Sequence, residues 1–527
     1  MSDSAWRSCR SRRRAAALGL LVLAALTTRP ARAQSSFEAL QTFSALVNQV
    51  RQNYVDSVTT PQLVLGAIRG MLASLDPHSY FQTGEEFRQM VAWRAGELAG
   101  AGVVIDDQDG DLVVQAVMAG GPGARAGVLP GDRLVSLNDT VVSDLGAARV
   151  MQRLIGARGT AVTMLLERGP RLEAERFTVR LRFDALRPRA VSVARSLPSG
   201  VGYVRLEEFL PEAGRELRQA AARALRGNPK RLILDLRGNP GGAVQAAVDV
   251  AAEFLERDQV VFSTRGRRRG VGQDFRTARD GGLRDVTVVV LINEHTASAA
   301  EALAGSLQDH DRAFIVGRRS FGKALMQQAL LVPPNDDVAW LTVGYVITPS
   351  GRLIQRQYRG LTAAQYRSLA GHGGANADSA PAFRTDAGRP VTAGGGITPD
   401  SATPAPSTLP VWVLVAADSG LDNAVADSVA ATLTAGPDAR DAWTTAPAEW
   451  RSRVLAPYLQ RVRERLHVRA EPDGALEDRL ARSLARRVAE VRWGEDAALD
   501  LWLRHDPDVR AAEALFPALP RLLRPAG

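Results

Sequence analysis

"RLILDLRGNPGGAVQAAVDVAAEFLE", residues 231–256, changes its period in the middle. Leu232, Ile233, Leu234 and Leu236 make a nearly continuous apolar run, the pattern of a strand covered on both faces. "NPGG" is a turn signal, and the Ala/Val/Leu spacing after it is helical. The same unit recurs. "GYVRLEEF" leads into "EAGRELRQAAARALRG", and "VTVVVLIN" turns through "EHTA" into "SAAEALAGSLQD". "AFIVG" is one further strand. Apolar strands alternating with helices predict a buried, largely parallel sheet. Sites in such sheets lie where strand ends turn into helices.

Outward from that core the texture differs. Phe37, Leu40, Phe43, Val47, Val50 and Tyr54 space an amphipathic helix, and Pro77 in "LDPHSYF" (Leu75–Phe81) breaks the helical pattern. From about Gly96 short β-type runs follow: "GVVID", "DLVVQAVM", "DRLVSLND", "AVTMLLER" and "RFTVRLRF". "GGPGARAGVLPGD" connects two of them with a helical turn at Ala124–Ala126, and "LGAARVMQRLIG" reads as a helix. "HGGANADSAPAFRTDAGRPVTAGGG" (His372–Gly396) reads as a long loop. Beyond about Thr403 the chain is helical. Leu476, Leu480, Leu484, Val488 and Val491 make one apolar face, with Arg479, Arg482, Arg486 and Arg487 off it as solvated surface.

The first 33 residues have the form of a signal peptide. A basic head (Arg7, Arg10, Arg12, Arg13, Arg14) precedes the apolar run Ala15–Ala25, and "ARA" offers a cleavage site before Gln34. The run is short for a membrane span, so an uncleaved leader is the only membrane anchor the sequence offers. The formal charge of +9 owes much to that leader, which holds seven arginines and one aspartate. The mature chain has no basic run interleaved with aromatics, which argues against nucleic acid. Its only cysteine, Cys9, lies in the leader, excluding disulfides and thiol chemistry from the mature protein. The six histidines form no HExxH pair, so no metal or other cofactor is expected.

Two strand-to-helix junctions carry candidate chemistry. In "DLRGNPGG" (Asp235–Gly242) glycines can turn backbone N–H groups toward an anion at a helix start, or they simply allow a tight turn. In "NEHTASAAEAL" (Asn293–Leu303), Ser298 with Glu301 three residues on is a capping box. The other reading makes Ser298 a nucleophile. A nucleophilic serine needs a base. His295 sits on the same turn, where reaching the hydroxyl is awkward. The second candidate is Lys323, in "RRSFGKALMQQ" (Arg318–Gln328). It is one of two lysines in a chain of 66 Lys+Arg, the other being Lys230. A buried lysine can lose its proton, as arginine cannot. Arg318 and Arg319 are nearby sources of repulsion, and Gln327 could aim the amine without adding charge.

"DLRGNPGG", "TASAAEALAGSLQDHDRAFIVGRRSFGK", "QQ", "TPSGRLIQ" (Thr348–Gln355) and "GGGITPD" (Gly394–Asp400), in this order, resemble the C-terminal processing peptidases, or tail-specific proteases. "LDPHSYF" and "LIGARGTAV" do so too. The likeness runs from about residue 37 to 400 and continues weakly in "VRWGEDAALDLWLRHDPDVRAAEAL". The resemblance implies a multidomain α/β protein with a crotonase/ClpP-like protease core, an inserted mostly-β PDZ domain and helical N- and C-terminal regions. Its expected segments are a signal peptide 1–33, a helical region 34–95, a PDZ domain 96–185, a protease core 186–402 with a long loop at about 359–393, and a helical region 403–527. It further implies a Ser298–Lys323 dyad with Gln327 orienting the lysine, and an oxyanion hole from Ala299 and Gly241 or Gly242. Asp309 would have a supporting role. Gly100, Ala101, Gly102 and Val103 would hold a peptide carboxylate, the alternative being a β domain that only braces the protease. The expected partners are proteins with exposed C-terminal tails, and homo-oligomers are compatible with the family. The expected setting is outside the cytoplasm, in the periplasm or cell envelope. The competing expectation is a catalytically inactive peptide-binding scaffold on the same fold. The pattern departs in the long segment before "GGGITPD" and in "GYVITPSGR", which lacks the usual Tyr-Tyr.

Overall fold

The computed structural model describes residues 36–523, apart from 109–110, 119, 130, 143–144, 169–174, 227–229, 371–381 and 407. The expected signal peptide lies outside the described residues. Residues up to Leu75 form one compact unit and those from Asp76 onward another. In the first, the helices Ser36–Asn53 and Thr60–Ala73 are joined by a short turn, and Thr59 and Gln62 close a capping box at the second helix. The helical segment expected to run to residue 95 is thus divided. Residues 76–94 belong to the second unit, where Tyr80–Gln82 pairs with Val338–Trp340.

The second unit is organised on a six-stranded sheet. Its order is Val191–Ser196, Gly202–Leu206, Arg231–Asp235, Thr287–Ile292, Ala313–Gly317 and Ser401–Ala402. The first pair is antiparallel and the others are parallel. Alternate residues face opposite ways. Leu232, Leu234, Val288 and Val290 pack under the helices Ala213–Ala224, Val244–Ala251 and Ala299–Asp309. Tyr203, Ile233, Val289 and Leu291 pack against Leu503, Val509, Phe516 and Leu519 from the end of the chain. That double cover explains the unbroken apolar strands. It also divides the C-terminal helical region in two. A bundle with its own core includes Trp443, Trp450, Leu480 and Val488, whereas the helices Glu495–His505 and Pro507–Leu515 help close the second face of the sheet. Of the apolar face read from the sequence, Leu476 through Val488 is buried, but Val491 is exposed.

A second, antiparallel sheet went unread in the sequence. Tyr80–Gln82, Asp337–Ile347, Val260–Arg265 and Asp274–Arg276 follow one another, and Leu325–Val332 also pairs with Asp337–Ile347. Several of these strands mix Gln, Thr and Asp with apolar residues and are half-buried, so they lack the signature of a core strand.

The β domain is a sheet in the order Val103–Gln108, Asp111–Val117, Arg133–Leu137, Ala161–Arg168 and Glu175–Arg182. Val103, Ile105, Leu112, Val114, Met164 and Leu166 face its core, which also holds Val150 from the helix Gly146–Arg153. Asp132 is buried and takes a bidentate pair from Arg168, at 2.7 and 2.8 Å. A ribbon of Ala99–Gly100 with Ile155–Gly156 and Asp184–Ala185 ties the domain's ends together. The long segment before "GGGITPD" is not all loop. It contains the helix Ala363–Ser368 and the paired strands Ala382–Arg384 and Pro390–Thr392. Arg389 anchors the latter by ion pairs to Asp311 and Asp400, both 2.6 Å.

Candidate active site

The strand Thr287–Ile292 ends in a turn that delivers Ser298 to the start of the helix Ala299–Asp309. Ser298 has φ 58° and ψ −117°, a conformation that costs a non-glycine residue about 1–3 kcal/mol. The surrounding turn is held by its neighbour. Thr296 Oγ1 donates to the Leu236 carbonyl at 2.8 Å, and the Ala297 N–H donates to the Asn239 carbonyl at 2.9 Å. The Gly238 N–H donates to Asn293 Oδ1 at 3.0 Å. The Ser298 turn and the glycine turn are therefore stitched together from both sides.

Gly241 lies against Ser298. Its φ is +102°, and a Cβ there would stand 2.8 Å from Ser298 Cβ. Its N–H is engaged with Asn239 Oδ1 at 2.9 Å. Gly242, at φ +141°, leaves no room for a Cβ against the Phe209 carbonyl. Parallel bonding of Phe209 to the carbonyl of Gly241 and the N–H of Ala243 leaves the Gly242 N–H outside that bridge. Gly242 lines the same cavity as Ser298 and Ala299.

Glu301 is fully buried and does more than cap. Its Oε2 accepts the Ser298 N–H at 2.9 Å and the Lys323 N–H at 2.8 Å. Its Oε1 accepts the Gly322 N–H at 2.6 Å and the Ser320 hydroxyl. One carboxylate oxygen thus joins the backbones of Ser298 and Lys323. Burial pushes the Glu301 carboxyl up to about 6, and the hydrogen bonds it accepts limit the rise. Burial also pushes the Lys323 ammonium below its ordinary 10.5, while the carboxylates of Glu301 and Asp76 pull it the other way. Arg318 and Arg319, read as sources of repulsion, are turned elsewhere. Arg318 pairs with Glu294, and Arg319 donates to the Gly394 carbonyl at 3.2 Å.

Ser298, Lys323 and Gln327 line one cavity of about 580 Å³. Gln327 reaches it through a bulge. The register slips between Met326 and Gln327, and bulges of this kind re-aim side chains beside sites. Gln327 Nε2 donates to Thr342 Oγ1 at 3.2 Å. Phe262, Leu325, Trp340 and Val346 give the cavity an apolar wall from the second sheet. His295 is mostly exposed and is not among the cavity's residues, so the geometry does not support it as a base. Asp309 is buried at the far end of the helix, roughly 15 Å along its axis from Ser298. There it binds Ser350 and pairs with Arg352, fixing the Thr348–Arg352 turn and not the cavity.

His78 is a cavity residue to which the sequence reading gave no role. Asp76 Oδ1 accepts the N–H groups of His78 and Ser79, both at 2.8 Å, which fixes the turn in "DPHS". His78 Nε2 meets the Tyr366 hydroxyl at 3.1 Å. Burial, then the nearby Lys323, lowers the imidazole to about 4, so it is neutral near pH 7; Asp76 opposes the shift. An Asp followed two and three residues later by polar groups was the available signal.

In the β domain, Gly100 lies in the closing ribbon, and the Ala101 N–H is engaged with the Leu154 carbonyl at 2.8 Å. Gly102 and Val103 open the edge strand of the sheet, Val103–Gln108. Farther along that edge, Met151 Sδ accepts the Ile105 N–H at 3.2 Å.

Comparison with known proteins finds matches to peptidase family S41 over residues 200–364 and to the PDZ domain over residues 113–168. The carboxy-terminal-processing protease of Bartonella bacilliformis is 33% identical over 328 residues, covering 61% of this chain and 74% of that protein. The carboxyl-terminal-processing protease of Synechocystis sp. is 34% identical over 288 residues, covering 54% of this chain and 66% of that one. The chain thus spans about two thirds to three quarters of these relatives' length. Among solved structures, the photosystem II D1 C-terminal processing protease aligns with 62% of this chain and 90% of its own, at 26% identity and a TM-score of 0.37.

Proposed function

The chain belongs to peptidase family S41, the carboxy-terminal-processing serine-type peptidases with a PDZ domain, and from that premise we propose that it is an exported endopeptidase working through a Ser298–Lys323 dyad. The observation that carries the dyad is that both side chains line one cavity while one Glu301 oxygen holds both backbones. Burial supplies the chemical condition, a lysine whose charged form is disfavoured.

In this mechanism neutral Lys323 Nζ takes the Ser298 Oγ proton as Oγ attacks the scissile carbonyl. The oxyanion is met by the N–H groups of Gly242 and Ala299. Gly241 serves by close approach instead, since its own N–H is engaged. Protonated Lys323 then gives its proton to the leaving amine. Water, deprotonated by the lysine, releases the acyl group and regenerates Ser298. Gln327 orients the amine from the bulged strand. Substrates are proteins with unstructured C-terminal tails, whose carboxylate meets the N–H groups at Gly102 and Val103 while the tail adds as a strand to the edge Val103–Gln108. The leader directs the protein to the periplasm or cell envelope.

The test compares mature wild type with Ser298→Ala on a folded protein bearing a flexible apolar tail, read by intact mass. Wild type should shorten the substrate and Ser298→Ala should leave it whole. Equal loss of full-length substrate in both would exclude the dyad, and no cleavage by either would favour the inactive scaffold.

A further inference from the structure

Three turns carry the groups of the proposed reaction: the glycine turn after Asp235, the nucleophile turn after Ile292 and the lysine turn after Gly317. Each is a connection at a strand end, already joined to its neighbours by Glu301 and by the bonds between the glycine and Ser298 turns. All three are linked to the N-terminal end of one helix, Pro507–Leu515, near the end of the chain.

Asp506 caps that helix, its carboxylate accepting the Val509 N–H at 2.9 Å. It also accepts from Arg237 Nη1 at 2.9 and 3.0 Å. Asp508 Oδ2 accepts from the same Arg237 nitrogen at 2.9 Å and from Arg318 Nη1 at 3.3 Å. Arg318 Nε continues to Glu294 Oε2 at 2.9 Å. Arg237 belongs to the glycine turn, Arg318 to the lysine turn and Glu294 to the nucleophile turn. Asp508 is 5% exposed, so water screens these bonds little. The helix start also favours its negative charge.

We infer that Asp508 is a positioning residue for the proposed reaction: through Arg237, Arg318 and Glu294, the C-terminal helix holds the nucleophile, base and oxyanion turns in mutual register. The inference rests on the dyad reading. Its physical basis is tolerance, because a misplacement of about 1 Å among reacting groups can cost about a hundredfold in rate. Removing Asp508 need not unfold the chain. Arg237 keeps Asp235 and Asp506, and Arg318 keeps Glu294.

The test uses the full mature chain carrying Asp508→Ala or Asp508→Asn. Glu253→Gln serves as the control, since Glu253 is also a buried carboxylate and pairs with Arg218 and Arg279. Two readouts are taken: kcat and KM on a fluorogenic peptide with an apolar C-terminal tail, and amide hydrogen exchange. Asp508→Ala should lower kcat about 10- to 100-fold with KM within about twofold. It should also speed exchange in all three turns together. Asp508→Asn, which keeps an acceptor oxygen, should recover most of the rate. Glu253→Gln should lose stability without losing kcat. Wild-type kcat in Asp508→Ala, faster exchange confined to residues 507–515, or an equal kcat loss in Glu253→Gln would overturn the inference. If wild type shows no Ser298-dependent cleavage, the dyad reading fails, and exchange in the three turns alone decides the clamp.

Discussion

Glu301 accepts from four donors with two oxygens, and all four lie in the turns of Ser298 and Lys323. A glutamine has one acceptor oxygen, and its amide would face donors. Glu301→Gln should therefore strand at least one buried donor at about 1–3 kcal/mol and disturb the alignment of Ser298 with Lys323. We expect a lower unfolding midpoint in urea and kcat reduced at least about tenfold; a wild-type kcat would show that the bridging oxygen is dispensable. Lys323 yields a sharper test. If its free amine takes the serine proton, Lys323→Arg is as inactive as Lys323→Ala, because arginine keeps its proton. On that proposal the protonated lysine is the inactive form, and burial lowers its pKa, so kcat/KM should rise with pH through a limb lying below 10.5. A rate that falls over that range would contradict the base assignment. Sequence alone read Ser298, Lys323 and Gln327 as candidates. It saw Glu301 only as a cap, because a cap is a local pattern and the contact with residue 323 is not.

The glycine turn shows what one element imposes on another. Gly241→Ala would force a side chain into the left-handed region and place its Cβ against Ser298. The variant should keep its helical circular dichroism yet lose activity, since the strain falls on the Ser298 turn; near-normal kcat would mean that this close approach is not needed. The edge strand of the β domain makes a separable prediction. Amidating a substrate's C-terminus removes the carboxylate proposed to sit at Gly102 and Val103. KM should then rise with kcat little changed, and an unchanged KM would remove tail recognition from the β domain. The strands of the β domain and of the parallel core were legible from their apolar rhythm. The second sheet was not, although it supplies Gln327 and much of the cavity wall. Its polar–apolar strands are half-buried, and the sheet is assembled when Tyr80–Gln82 and Val260–Arg265 join Asp337–Ile347 from far away in the sequence.

For the second unit as a whole, the end of the chain is part of the fold. Phe516 is buried against the face of the sheet that the α/β helices leave open. Phe516→Ala should cost about 3–5 kcal/mol in urea unfolding. A loss under about 1 kcal/mol would show that the C-terminal helices merely rest on the sheet. The sequence shows these residues as helical with a weak family likeness over 491–515, but not what they pack on, because an amphipathic pattern states that a face is buried without stating against what.

The order of apolar runs and turns determined the alternating core, the β domain and the helical tail, since each depends on periodicity within a few neighbouring residues. The motifs brought Ser298, Lys323, Gln327 and the glycines forward as a group. Only the tertiary structure decided that His78 enters the cavity, that His295 faces outward, and that Glu301 and Asp508 join separate turns. It also decided that the last helices complete the core. Burial and long-range hydrogen bonding are properties of a folded surface, and residues hundreds of positions apart acquire them together only once the sheet has formed.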